Sequence, residues 1–182
     1  MSVKGGGGHG LAEDDEATFT AWAQSRQRRL VHSATLLTGD RQRAEDLVQE
    51  ALLKLALRWS RLRDGNPDAY ALTVVFRDNA SWWRRRRPII VEEVPEVAAL
   101  AGSDLAEDRL IVLHALDCLT TKQRAVLILR FYDDLSERRT AEILGVGVGT
   151  VKSQTAAALA RLRAVPELLA TLSDEGGHDG RT

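Results

Sequence analysis

One cysteine, Cys118, stands among the 182 residues, so no disulfide framework is possible and a reducing compartment is expected. Neither His9 nor His32 has a second His or a Cys at ligand spacing, so neither is expected to hold a metal. No apolar run reaches the roughly 18 residues that a membrane helix needs. The opening M-S-V-K-G-G-G-G-H-G lacks an apolar centre, so a secretory signal is not expected. Its four glycines follow no strand and precede no Gly-Lys-Ser/Thr, so they are not a phosphate loop. Basic excess is missing too. There are 25 Lys and Arg against 26 Asp and Glu, a net charge of −1, and a protein that coats DNA unaided usually carries a visible surplus of Lys and Arg. Neither a Ser/His/Asp triad, a paired-carboxylate site nor a metal-ligand set can be assembled, so no catalysis, metal or cofactor is expected.

Hydrophobic content of 44% and charged content of 28% are globular values, enough for one ordinary domain or two small ones. The charge that is present is sorted by segment. Arg84, Arg85, Arg86 and Arg87 are consecutive. From Pro88 to Asp108 there are six acidic residues and no basic one. A neutral chain with segregated charge suits a protein that touches DNA as part of a larger assembly.

The clearest local pattern runs from Ser136 to Arg163. Ser136 suits an N-cap, and Ala141, Ile143 and Leu144 supply an apolar face. Gly145 suits a left-handed stop. A second helix follows, with Val151, Thr155, Ala158, Leu159 and Leu162 on one face. A small residue, a glycine four later and a β-branched residue six beyond that is the helix-turn-helix arrangement. Lys152, Ser153, Ala156 and Ala157 then point outward, with Thr150 and Gln154 at the flanks, where a recognition helix meets a major groove. Arg138, Arg139, Arg161 and Arg163 lie where they could hold phosphates. An ordinary helical hairpin would show much of the same pattern.

Upstream, the periodicity predicts a helix over Glu16–Leu37, in which His32 is a surface or packing residue, and a second over Arg41–Ser60. In the second, Ala44, Leu47, Val48, Ala51, Leu52, Leu55 and Trp59 share one face. Asp46, Gln49, Glu50 and Leu53 share the opposite one. Polar residues there suit plain solvation, but a leucine among carboxylates suggests a partner-binding patch with a small apolar centre. Asn66 before Pro67 permits a new helix at 67, running to Arg87 and ending S-W-W-R-R-R-R. Trp82 and the arginines could stack on bases and pair with phosphates. Trp83 is assigned to the core with Leu72, Val75 and Phe76, and Trp82 is left open. Residues Leu105–Leu119 and Thr121–Tyr132 complete the predicted helices, with Thr120 as a cap. The expected fold is all-α: two small helical domains joined by an acidic flexible linker.

Four motifs occur in order: D-L-V-Q-E (Asp46–Glu50), S-W-W-R-R-R-R (Ser81–Arg87), L-T-T-K-Q-R-A-V-L (Leu119–Leu127) and G-T-V-K-S (Gly149–Ser153). Together they resemble bacterial extracytoplasmic-function sigma factors, close to the SigE-like actinobacterial branch. The glycine-rich opening reads as a mobile tail over 1–15, the aperiodic acidic stretch as a linker over 88–104 and the end of the chain as a second tail over 166–182, and the resemblance implies region 2 over 16–87 and region 4 over 105–165. It implies that Asp46, Gln49, Glu50 and Leu53 dock on the β′ clamp helices of core RNA polymerase, and that region 4 meets the β flap. It places Asn66 at a flipped base of the −10 element, with Arg77, Trp82 and the arginine run on promoter DNA, and puts the helix-turn-helix on the −35 element. An anti-sigma factor is a further possible partner, and the location is cytoplasmic. Arg77 stands where such proteins usually carry Asn, and Leu72, Thr73 and Ala157 stand where polar or basic groups are common. Two rival readings are a stand-alone helix-turn-helix regulator and a sigma-like polymerase-binding regulator without promoter recognition. The first would need a receiver or ligand-binding domain, which D-L-V-Q-E and the W-W-R-R-R-R run argue against.

Overall fold

The computed structural model describes residues 9–86, 112–113 and 115–164. The linker and both chain ends beyond these bounds, including Arg87, the whole of the acidic stretch and more than half of the expected Leu105–Leu119 helix, lie outside the described residues. Helices are α1 (His9–Thr38), α2 (Arg41–Ala56), α3 (Trp59–Leu62), α4 (Pro67–Arg86), α5 (Thr121–Leu127), α6 (Glu137–Leu144) and α7 (Val148–Arg163); Ile128–Tyr132 extends α5 as one π-helical turn. Among the described residues there is no strand.

Local chemistry sets most of the boundaries. Gly39 adopts a left-handed φ of 73° and ends α1, and the Asp40 side chain then accepts from the Arg43 amide to cap α2. Asn66 Oδ1 accepts from the Ala69 amide at 2.8 Å, so Asn66 caps α4 with proline in its first position. Thr120 and Gln123 form a reciprocal capping box on α5.

Two boundaries and one burial assignment differ from the sequence reading. Residues 9–15, expected within a mobile tail, are helical. Arg63 pairs with both Asp14 and Asp15, at 2.9 and 2.7 Å, and Trp59 Nε1 donates to Thr18 Oγ1 at 2.9 Å. These partners come from 40 or more residues away, so the local composition could not reveal them. The expected Arg41–Ser60 helix breaks at Leu57–Arg58, and Trp59 is buried from the separate turn α3. There it meets Phe19 edge-on at 5.3 Å. Last, Trp83 is 44% exposed rather than in the core. The buried track of α4 passes instead through Asn79 to the half-buried Trp82. Arg43 stands against both: its Nη2 donates to Asn79 Oδ1 at 3.2 Å, and its guanidinium lies 3.3 Å from the centre of the Trp82 ring.

The N-terminal unit packs α1, α2 and α4 around Ala34, Ala44, Val48, Ala51, Leu55, Ala71 and Val75, all fully buried or nearly so. Truncating a buried leucine such as Leu55 to alanine costs about 2–5 kcal/mol in such a site. In the C-terminal unit, Val126, Ala141 and Val151 form the small contact of the helix-turn-helix. A single buried apolar cluster continues from Leu30, Leu37 and Phe76 into Leu116, Leu129 and Ile143, so the two units pack directly on one another.

Asp133, just after the π-helical turn, is buried at this junction. Ser33 Oγ of α1 donates to its Oδ2 at 2.7 Å, and Arg29 Nε lies 3.5 Å from its Oδ1. Burial pushes its carboxyl above the ordinary aspartate range, while Ser33 and Arg29 pull it back. With the folded value raised, the folded chain holds a proton over a pH window in which the unfolded chain has lost it. The contribution of Asp133 therefore favours the folded form most below the ordinary aspartate value, and is lost as pH rises through the folded one. Carbon-detected NMR titration is expected to show Asp133 above the other aspartates, and Ser33→Ala to raise it further. An unmoved value in Ser33→Ala would show that the hydroxyl does not bear on the carboxylate.

Candidate polymerase-binding and DNA-binding surfaces

The buried stripe of α2 holds the helix with its opposite face in solvent. Asp46, Gln49, Glu50 and Leu53 are all exposed on that face. Lys54 joins it to α4: its ammonium is 2.8 Å from Asp78 and 3.1 Å from Glu50. The Asp78 bond is the largest cause of its raised pKa. Glu50 is therefore oriented by a network, while Asp46 and Gln49 project freely from the helix. Leu53 is 57% exposed, and Leu57, one turn on, is 77% exposed. Leu57 was absent from the sequence reading, and its spacing of four from Leu53 was the signal that could have found it.

On α4 the predicted residues fall into three situations. Asn66 is engaged as the helix cap. Arg77 reaches across to the C-terminal unit, where its Nε donates to the Ile143 carbonyl at 3.2 Å and its Nη2 to the Glu142 carbonyl at 3.3 Å. At the far end Trp82 is held on Arg43, with Trp83 edge-on to it at 5.3 Å. Arg84 and Arg85 are exposed, with Arg84 Nη2 donating to Ser81 Oγ at 2.8 Å. Arg86 is the last described residue of α4, and Arg87 lies outside the described residues.

The helix-turn-helix has the expected construction. Ser136 Oγ accepts from the Arg139 amide, and Gly145 takes a left-handed φ of 67°. Ala141 and Val151 are buried against each other. This leaves Thr150, Lys152, Ser153, Ala156 and Ala157 exposed, with Gln154 half-buried. Lys152 is 3.7 Å from Glu137 of α6, a solvent-exposed pair of the kind that contributes little and yields readily. Arg138 and Arg139 both lean on Glu142, at 3.5 and 2.6 Å. The Arg139 bond is the main reason that its carboxyl sits below the ordinary range. Arg161 turns toward α5, donating to Cys118 O and Gln123 Oε1 at 3.2 and 3.3 Å. Among the described residues, no group of three or more His, Cys, Asp or Glu is placed to hold a metal ion, and no helix is long and apolar enough to cross a membrane.

Both units have counterparts among known proteins. The family described as sigma-70 region 2 matches residues 22–89, and that described as sigma-70, region 4 matches residues 109–162. The chain is 35% identical over 156 residues to the RNA polymerase sigma-E factor of Streptomyces avermitilis, covering 84% of this chain and 87% of that one. It is 31% identical to the ECF RNA polymerase sigma factor SigL of Mycobacterium tuberculosis, over 85% of this chain and 92% of the relative. Among solved structures it is similar to the sigma factor RpoE in complex with the anti-sigma factor NepR from Bartonella quintana, with a TM-score of 0.65 and 29% identity over 84% of this chain and 96% of that one. A helix-turn-helix unit packed on a helical unit, each matched to a sigma region, defines a promoter-specificity subunit of RNA polymerase. The chain belongs to the extracytoplasmic-function sigma factors of the sigma-70 family. It binds core RNA polymerase and directs it to promoters.

Proposed function

We propose that this sigma factor is recruited to core polymerase by Asp46, Gln49, Glu50 and Leu53, with Leu57 extending the apolar centre, against the β′ clamp helices. The observation that carries this reading is the pair of exposed leucines set among carboxylates on the solvent face of α2. Region 4 then meets the β flap. Asn66 and the α4 surface meet the −10 element, and Lys152, Ser153 and their neighbours meet the −35 element. The chain works in the cytoplasm with no chemistry of its own. RpoE is solved with an anti-sigma factor, and control of the present chain by a partner of that kind belongs to the same reading. Run-off transcription with core polymerase and genomic DNA tests the reading. Discrete transcripts that require the added chain support it, and polymerase binding without promoter-specific transcripts would overturn it.

Arg84 and Arg85, exposed at the end of α4, supply phosphate contacts and little sequence information. Each phosphate neutralised releases condensed counterions, so affinity falls with salt. Arg84→Gln with Arg85→Gln is expected to weaken holoenzyme binding to all promoters alike, and to reduce the log–log salt slope by about 2. A changed −10 preference with the slope intact would count against this assignment.

A further inference from the structure

The loop that carries Asn66 is gripped from behind by α1. Between α2 and α4 the chain makes one helical turn, α3, and then passes through Arg63, Asp64, Gly65 and Asn66. A single turn is too short to persist on its own, so its shape comes from what holds its two ends. Trp59 begins α3 and is buried. Its Nε1 donates to Thr18 Oγ1, and that hydroxyl donates in turn to the Asp14 carbonyl at 2.6 Å. Arg63 is the C-cap at the other end. Its Nη1 lies between two carboxylates, 2.9 Å from Asp14 Oδ2 and 2.7 Å from Asp15 Oδ1. Both ends of α3 are thus tied to the same turn of α1. Beyond Arg63, the Gly65 amide donates to the Leu62 carbonyl at 3.0 Å, and Asn66 Oδ1 holds the start of α4. Within residues 62–67, Asp64, Gly65 and Asn66 are the exposed ones, so they form the tip.

Charge gives this clamp a consequence. The run R-W-S-R-L-R, Arg58–Arg63, sets three cations beside a tip assigned to a base. Arg58 Nη1 is turned to the Tyr70 hydroxyl at 3.0 Å, and Arg63 is turned onto the two carboxylates. An arginine released at this place would pair with phosphate, which strengthens binding to every sequence and distinguishes none. Single exposed ion pairs are weak. Here two carboxylates share one half-buried cation, and Thr18 and Trp59 secure the same turn, so the grip does not depend on one pair. A tip held in shape before binding also has less freedom to lose on meeting DNA.

We propose that Asp14 and Asp15 are positioning residues for −10 recognition: by keeping Arg63 off the DNA and fixing the Asp64–Gly65–Asn66 tip, they set how selectively, rather than how tightly, the holoenzyme binds the −10 element. The first turns of α1 thereby become part of the promoter-reading apparatus without touching a base. The inference rests on the assignment of Asn66 to the −10 element.

Holoenzymes carrying wild type, Asp14→Asn with Asp15→Asn, Asp14→Glu with Asp15→Glu, Arg63→Gln and Asn66→Ala are compared by selection from a randomised −10 library. Each is then titrated with a preferred and a mismatched promoter over a range of salt. The Asn pair removes the charge and keeps the shape. It is expected to reduce the ratio of preferred to mismatched binding about 3- to 10-fold, the scale of one or two ion pairs. It is also expected to raise the log–log salt slope by about 1, as Arg63 moves to a phosphate. Helical circular dichroism and co-purification with polymerase should be unchanged, and the Glu pair should recover the ratio. Arg63→Gln is expected to lose selectivity with the wild-type slope. A merely structural role would leave the slope unmoved in every variant. Unchanged ratio and slope in the folded Asn pair overturn the clamp. So does an Arg63→Gln variant whose slope falls by about 1, because Arg63 would then already contact DNA. Asn66→Ala separates this inference from the reading beneath it. If it flattens the −10 preference and the Asn pair does not, the clamp falls and the Asn66 reading stands. If it leaves the preference intact while the Asn pair lowers the ratio and steepens the slope, Asn66 comes off the base and the clamp stands.

Discussion

Asp46→Arg combined with Leu53→Asp is expected to abolish co-purification with core polymerase and leave the helical circular dichroism unchanged. Both side chains project from α2 into solvent, and neither takes part in the Ala44, Val48, Ala51 and Leu55 stripe that holds the helix in place. Surface substitutions away from core, caps and networks usually change stability by no more than about 0.5 kcal/mol. An interface responds differently. The few residues that dominate a contact, clustered near its centre, are each worth about 2 kcal/mol or more, and Leu53 is the apolar residue at the centre of this patch. Here a carboxylate would replace it, so the partner would have to desolvate a charge without pairing it. Reversing Asp46 adds repulsion against any cationic groups that face it. Together the two changes are expected to weaken binding by at least about a thousandfold. Leu57→Asp alone, at the rim of the same patch, should produce a smaller loss. Retained co-purification by the folded double variant would remove α2 from the polymerase interface.

The parts legible in the sequence are those written in short-range chemistry. The helix-turn-helix depends on a cap at Ser136, a left-handed residue at Gly145 and small or β-branched contacts at Ala141 and Val151, all within 16 positions. The α2 stripe is equally local, since burial of Ala44, Val48, Ala51 and Leu55 follows the helical repeat. What escaped was set by partners distant in the chain. Helix α1 starts at His9 where the Gly-rich composition argued for a tail, with Arg63 and Trp59 bracing its first turns. Trp83 was placed in the core by a spacing that fitted it as well as Trp82. The choice between them lies with Arg43 of α2, which takes Trp82 and Asn79. Arg77 read as an unusual residue at a DNA position, yet its two bonds to the last turn of α6 depend on how the units dock, and no helical periodicity encodes that docking. The candidate site residues were therefore identifiable one by one from their motifs, whereas their mutual engagement in the free chain was not.

Lys152→Ala is expected to weaken −35 recognition more than any other single change on α7. The exposed surface of the first three turns of that helix offers Thr150, Lys152, Ser153, Ala156 and Ala157, and only the first three of these carry hydrogen-bonding side chains. Ser153 Oγ already donates to the Thr150 carbonyl at 3.0 Å, which leaves its lone pairs but not its proton for a base. Lys152 is 65% exposed, and its contact with Glu137 is long at 3.7 Å, so its ammonium can leave for a guanine edge at small cost. Alanines can touch a thymine methyl but cannot make the bidentate pairs that separate bases by about 1–3 kcal/mol each. The −35 preference should therefore be short, and Lys152→Ala should cost about 5- to 150-fold in binding to the preferred sequence. Ala156→Ser and Ala157→Ser should change little. The rival is that α7 no longer reads bases and region 4 serves mainly to grip the polymerase. Selection by the holoenzyme from promoters with a randomised −35 region decides between them. Enrichment of three or four positions that fades with Lys152→Ala establishes direct readout, because a phosphate contact would weaken all sequences equally. With no position enriched by the wild-type holoenzyme, region 4 would be an anchoring module and its outward alanines a surface that base recognition has left.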